Sequence, residues 1–99
     1  MLILFISSRY AQVIMEKNFI VVMKSKINYE ILRQLDEKPL IPIMLSKALK
    51  RPRPSISRAL NELVEHNLVK CENPKDKKFR FYSITSIGKD VLKEAGKYN

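Results

Sequence analysis

Residues 42–69, PIMLSKALKRPRPSISRALNELVEHNLV, carry two helical patterns joined by a short, basic turn. In the first, Ile43, Met44, Ala48 and Leu49 recur at i, i+1, i+5 and i+6, which puts them on one side of a helix and leaves Ser46, Lys47 and Lys50 toward solvent. In the second, Ile56, Leu60, Leu63, Val64 and Leu68 form a stripe suited to pack on a core, with Ser55, Ser57, Arg58 and Asn61 opposite. The joint is Lys50-Arg51-Pro52-Arg53-Pro54. A proline disfavours helix at the residue before it, and Pro54 suits a first helical turn that has no use for its missing N–H. The second helix therefore has a sharp start.

Charge follows this geometry. From Lys38 to Asn61 there is no acidic residue, and Lys38, Lys47, Lys50, Arg51, Arg53 and Arg58 are basic. Lysines and arginines neutralise phosphates and release counterions, while Arg, Asn and Ser on an N-terminal helical face can reach base edges. An amphipathic helix with a solvated basic face would show the same composition. The order of elements argues further: helix, tight turn and basic helix is the layout that sets a second helix in a major groove while the first crosses the backbone.

Working outward toward the C-terminus, the pattern changes from helical to alternating. Residues 68–72 and 79–84 read as two strands, and Asn73-Pro74-Lys75-Asp76-Lys77-Lys78 as the turn between them. Such a basic hairpin can rest on a sugar-phosphate backbone, or its lysines can simply keep a strand edge soluble. Thr85 or Ser86 then caps a last helix with Ile87, Val91, Leu92 and Ala95 inward and Gly96 at its end. Gly88, in the first turn, would allow close approach to the preceding strand.

Toward the N-terminus, a first core helix is expected from about Ser25 to Asp36, with Ile27, Ile31, Leu32 and Leu35 inward and Lys38-Pro39 as its stop. Residues 1–25 are a separate extension. Their apolar runs, Met1 to Ile6 and Phe19 to Met23, are too short to span a bilayer, and no secretory signal pattern is evident. Two readings stand for this segment. It is a dimerisation element burying Leu2, Leu4, Ile6, Val13, Ile14, Phe19 and Val22 against a partner subunit, or translation begins at Met15 or Met23.

Two separated motifs resemble a known family. Pro42-x-x-Leu45-Ser46-Lys47-x-Leu49, followed by Ser55-Ile56-Ser57-Arg58-x-Leu60-x-Glu62-Leu63, looks like the "P-x-x-L-A-K-x-L … S-x-V-S-R-x-L-x-E-L" pattern of winged helix-turn-helix transcription regulators. Tyr82-Ser83-Ile84-Thr85-x-x-Gly88-Lys89 looks like the "Y-x-L-T-x-x-G-K" that joins wing to last helix in the MarR-like and ArsR-like groups. The resemblance covers about residues 26–96. It implies an α+β, mostly α fold, with a three-helix core, a two-stranded wing and a C-terminal helix in a domain over residues 26–99. It also implies sequence-specific binding of double-stranded DNA, usually as a homodimer, with a recognition helix over about 54–67 in the major groove and a wing over 72–80 on the backbone. Carried over by position, Arg53, Pro54, Ser55, Ser57, Arg58 and Asn61 face the groove. Lys47 meets backbone phosphate, Arg51 adds charge at the turn, and Lys75, Lys77, Lys78 and Arg80 are wing contacts. The sequence departs from the pattern at Lys50-Arg51-Pro52, where a glycine, an apolar and a small polar residue are more common.

Other functions are poorly supplied. Cys71 and His66, the single cysteine and histidine, provide at best half a tetrahedral metal shell, so neither a metal nor a cofactor is expected. One cysteine allows no intramolecular disulfide, which agrees with a reducing, cytoplasmic setting. With two glycines there is no phosphate-cradling loop, and the lone histidine has no evident nucleophile, so no enzyme is read here. A chain of 99 residues with a net charge of +9 and a pI near 9.9 points to a polyanionic partner. Nucleic acid suits it better than a membrane, because the charge lies on a turn and a hairpin rather than along one amphipathic helix. The rivals are a non-specific architectural DNA-binding protein and a winged helix that docks RNA or protein. A single-strand RNA binder would display aromatics, and in the cluster Phe79, Phe81 and Tyr82 the alternation sends at least one side to the core.

Overall fold

The computed structural model describes residues 16–98. A helix over residues 16–23 (α1) precedes α2 (Lys26–Glu37), α3 (Pro42–Leu49), α4 (Arg53–Glu65), β1 (Val69–Cys71), β2 (Tyr82–Ile84) and α5 (Ser86–Gly96). This is the expected winged helix, mostly helical and, among the described residues, with one antiparallel pair of strands.

The buried faces differ in detail from those the periodicity suggests. In α2 the inward set is Asn28, Ile31, Leu32 and Leu35, with Ile27 only half-buried. In α3 the expected face of Ile43, Met44 and Ala48 is exposed, and the helix packs through Leu45, flanked by Ile41 before it and Leu49 at its end. Those three sit at i, i+4 and i+8, a cleaner single stripe than the i, i+1 pairs. In α4 the core face is Ile56, Ala59, Leu60 and Leu63, whereas Val64 is 37% exposed. In α5, Gly88, Val91 and Ala95 are buried and Ile87 is 41% exposed.

The end of α4 shows why Leu68 is buried although it lies beyond the helix. Asn67 adopts a left-handed conformation with φ 60°, which asparagine tolerates better than most residues. The Leu68 N–H then donates to the Leu63 carbonyl at 2.9 Å and the Asn67 N–H to the Val64 carbonyl at 3.0 Å. This double closure is a Schellman cap, and Leu68 and Leu63, both fully buried, supply its usual apolar contact. The chain thereby reverses straight into β1.

The strands are shorter than expected, pairing Val69 with Ile84, Lys70 with Ser83 and Cys71 with Tyr82. A third piece of backbone, not foreseen, joins them: Leu40 and Tyr82 exchange two backbone hydrogen bonds, at 3.0 and 2.9 Å. The link between α2 and α3 is thus stitched to the wing. Thr85 caps α5 by accepting the Gly88 N–H at 3.0 Å. Gly88 lies under the Leu68 carbonyl so closely that a Cβ there would stand 2.2 Å from that oxygen and 2.7 Å from Ile84 Cγ1. The expected close approach is therefore real, and it involves both sides of the hairpin base.

Residues of α1 join this core. Val21 and Val22 are buried in the same cluster as Ile31, Leu45, Leu60 and Val91, with Phe19 half-buried against it. Val22 and Phe19 are thus covered by this chain's own helices rather than held for a partner. Leu2, Leu4, Ile6, Val13 and Ile14 lie outside the described residues.

Candidate nucleic-acid interface

With one side of α4 committed to the core, the opposite side is set by helical geometry. Pro54, Ser57, Arg58 and Asn61 occupy i, i+3, i+4 and i+7 and are all exposed, so they share one outward strip. Arg53 is exposed at the helix start, and Ser55 is half-buried toward α2. Glu65, exposed one turn beyond Asn61, ends the strip with a negative charge that the sequence reading did not single out.

The turn before α4 is locked. Lys50 caps α3 in the left-handed region, φ 55° and ψ 47°, the conformation for which glycine is the common choice. The Ser46 carbonyl accepts both the Lys50 and the Arg51 N–H, and the Ser46 hydroxyl donates to the Arg51 carbonyl. Ser46, expected in solvent, is therefore a half-buried clamp on the turn. Arg51 reaches back to Glu30 of α2, Nη2 to Oε1 at 2.7 Å, so its guanidinium braces the turn against the core helix. Lys47 is exposed on α3.

A second brace holds the middle of α4. The buried Asn28 carboxamide donates to the Val21 carbonyl at 3.0 Å and to Glu62 Oε1 at 2.8 Å, while Lys24 donates to Glu62 Oε2 at 2.9 Å. One carboxylate on α4 is thus fixed by residues from α2 and from the segment ahead of it. The Asn28 hydrogen bond, then that from Lys24, holds the Glu62 carboxyl below the ordinary glutamate range. The signal for Asn28 is in the sequence: it stands at i of the stripe completed by Ile31, Leu32 and Leu35. Between the two braces lies an open cleft of about 460 Å³, bounded by Ser25, Asn28, Arg51, Ser55, Arg58 and Glu62.

The wing is built differently. Lys75, Lys77, Lys78 and Arg80 are all exposed. The loop that carries them is shaped by its own side chains. Asn73 Nδ2 donates to the Phe79 carbonyl and Asn73 Oδ1 accepts from the Phe81 N–H, each at 2.7 Å. Asp76 Oδ1 accepts from the Lys78 and Phe79 amides at 2.9 and 3.0 Å, with the Phe79 amide the larger cause of a carboxyl held below its usual range. Arg80 Nε donates to the Asp76 carbonyl at 2.9 Å. Of the aromatic cluster, Tyr82 is half-buried, whereas Phe79 and Phe81 face water.

His66 is the half-buried C-cap of α4, its N–H donating to the Glu62 carbonyl, and Cys71 is a half-buried strand residue. Among the described residues no three His, Cys, Asp or Glu side chains gather as a metal-ligand group, and no helix is long and apolar enough to cross a membrane.

Comparison with known proteins agrees with this geometry. A sequence model of the MarR family matches residues 25–78. The transcriptional regulator BldR from Sulfolobus solfataricus superposes with a TM-score of 0.69 at 25% identity, over 97% of this chain and 72% of BldR. ZitR from Lactococcus lactis gives 0.66 at 24% identity, over 74% of this chain and 51% of its own, and one ZitR structure is a complex with DNA. The adhesin competence repressor AdcR from Streptococcus pyogenes gives 0.66 at 20% identity, over 75% and 55%. The chain thus spans about half the length of ZitR and AdcR. No curated protein matches it.

Proposed function

This chain belongs to the MarR family, and from that membership we propose that it is a sequence-specific transcription regulator of double-stranded DNA. The observation that carries the reading is the outward strip of Pro54, Ser57, Arg58 and Asn61, exposed on a helix whose other side is buried and whose start and middle are both braced. A rigid helix presenting an arginine, an asparagine and a serine has the donors and acceptors that base edges require in a major groove. In this reading Arg53 and Ser55 support the strip, and Lys47 meets a phosphate from α3. Lys75, Lys77, Lys78 and Arg80 line the backbone along the wing. Arg51, paired with Glu30, contributes by stiffening the turn and by its charge. The DNA in the ZitR complex supports the partner class.

The protein acts as a homodimer in this proposal, with α5 and the part of residues 1–25 ahead of the buried Val21 and Val22 as the joining elements, and residues 26–99, together with those two valines, as the DNA-binding domain. Two-fold symmetry would then set two recognition helices one DNA turn apart on a palindromic site.

The test is fluorescence-anisotropy titration of the protein against its own upstream DNA and a scrambled duplex of equal length, across a salt series, with Arg58→Ala alongside. A preference of about 10³ or more for the natural site, largely erased by Arg58→Ala, is the expected result. Equal binding to both duplexes with the same salt slope, weakened alike by the variant, would replace the regulator with an architectural DNA-binding protein. The exposed Phe79 and Phe81 favour one other rival, a binder of unpaired strands. Tighter binding to a single-stranded oligonucleotide of the same sequence would establish it.

A further inference from the structure

Two phenylalanines stand exposed at the wing, Phe79 at 52% and Phe81 at 39%, with Arg80 between them in sequence. They are not on a slack loop. Asn73 grips the backbone of both rings, accepting from one and donating to the other, and Asp76 accepts the Phe79 amide as well. Arg80 is drawn back onto the Asp76 carbonyl, away from a free swing over the rings. The fold thus spends its local hydrogen bonds on presenting two apolar rings to water.

The surroundings of the rings identify what covers them. Lys75, Lys77, Lys78 and Arg80 are exposed on the same loop, whereas its two acids are occupied. Asp76 is bonded to backbone amides, and Glu72 accepts from the Ser83 hydroxyl and pairs with Lys70 at 3.8 Å. An apolar groove on another protein would meet these four neighbouring cations without counter-charge. Duplex DNA offers flat apolar faces between two rows of phosphates, which is the complementary arrangement.

We propose that the wing is a wedge: Phe79 and Phe81 enter the minor groove and press into a base step of the bound duplex, partly unstacking it, while Lys77, Lys78 and Arg80 hold the flanking phosphates. This rests on the DNA-binding reading above. Apolar side chains inserted in this way bend a duplex by about 20–90°. The step that gives way most readily is pyrimidine–purine, so TA and CA steps are preferred where the wing lands, without any hydrogen bond to the bases.

The experiment uses duplexes of the upstream DNA carrying 2-aminopurine at successive positions, with fluorophores at the two ends to report bending. Wild-type protein is compared with Phe79→Ala/Phe81→Ala, with Phe79→Leu/Phe81→Leu and with Arg58→Ala. Wild type is expected to brighten 2-aminopurine at one step per half-site and to shorten the end-to-end distance. The double alanine variant is expected to bind about 10-fold more weakly, with the same salt slope and neither signal, and the leucine variant to retain part of the bend. Because both positions are exposed, circular dichroism of the variants should match wild type. Binding by wild type with 2-aminopurine silent at every position, or bending unchanged in the alanine variant, overturns the wedge and leaves the regulator standing. A change of oligomeric mass in the variant with DNA binding intact also overturns it, and assigns the rings to contact between copies. Failure of the wild type to bind any duplex removes both proposals together.

Discussion

Helix α4 and the wing both present basic, exposed side chains, yet they are held by opposite means. The helix is held through its own buried side, Ile56, Ala59, Leu60 and Leu63, and through two side-chain ties, Glu62 to Asn28 and Lys24 and, just ahead of the helix, Arg51 to Glu30. The partners in those ties, Lys24, Asn28 and Glu30, stand 21 to 38 residues away in sequence. The wing beyond its three-residue strands is held by Asn73 and Asp76, which bond to backbone two to eight positions away. The difference teaches that the orientation of the helix is a property of the whole core, while the shape of the wing is local. Damage to the core should therefore disable both surfaces, and damage to the loop only one.

The strongest way to break that contrast is Leu63→Ala. Leu63 is fully buried and anchors the cap that turns α4 into β1. Its truncation is expected to cost about 2–5 kcal/mol, a large share of the roughly 5–15 kcal/mol of a small domain. Urea denaturation followed by circular dichroism measures it. A loss no larger than that of a surface substitution would mean that the core does not hold the helix.

Asn28→Ala sharpens the comparison at an intermediate scale. It removes the donor that links the Val21 carbonyl to Glu62, at an expected cost of about 1–3 kcal/mol. The same site gives a pH signature. Glu62 has its folded carboxyl lowered, so its contribution is fully present above the unfolded glutamate value of about 4.3 and is lost as pH falls through the lower folded value. Denaturation midpoints measured from pH 7 downward should stay level to that range and then decline. In Asn28→Ala the decline should be shallower, because the largest cause of the lowering is gone. Parallel profiles for the two proteins would show that the tie does not hold α4.

The smallest effect on stability belongs to Asn73→Ala, expected within about 0.5 kcal/mol, since it touches only the wing loop. Its mark is local: amide exchange at Phe81, whose N–H loses its acceptor, should accelerate while the amides of α4 stay protected. Global unfolding of this variant would mean that the wing is coupled to the core after all.

The order of elements from α2 onward, a tight turn between α3 and α4 (found over Lys50–Pro52, with Arg53 and Pro54 already in the helix), the capping by Thr85, the close approach at Gly88 and the outward Ser57, Arg58 and Asn61 were legible from the residues. The inward faces were legible only to within a residue. In α2, α3 and α5 the reading favoured Ile27, Met44 and Ile87, and the fold buries Asn28, Leu45 and Gly88, each one position on. Choosing the larger apolar side chain assumes that burial is decided by transfer from water alone. Asn28 goes inward because a carbonyl and a carboxylate from other segments need its donor, and Gly88 because the Leu68 carbonyl leaves no room for a Cβ. Leu45 goes inward because its stripe with Ile41 and Leu49 meets the core.

Periodicity, proline and cap residues are local quantities, acting within a turn or two of helix, so the chain's own residues were enough to establish the order of elements from α2 to α5 and which of them carry charge, while α1 and the ends of the two strands were not fixed by them. The rotation of each helix about its axis, the bridge from Leu40 to Tyr82, the brace of Arg51 on Glu30 and the tie of Glu62 to Asn28 depend on partners 21 to 42 residues away. No local pattern encodes such distances, because what selects them is which groups arrive together once the core has closed.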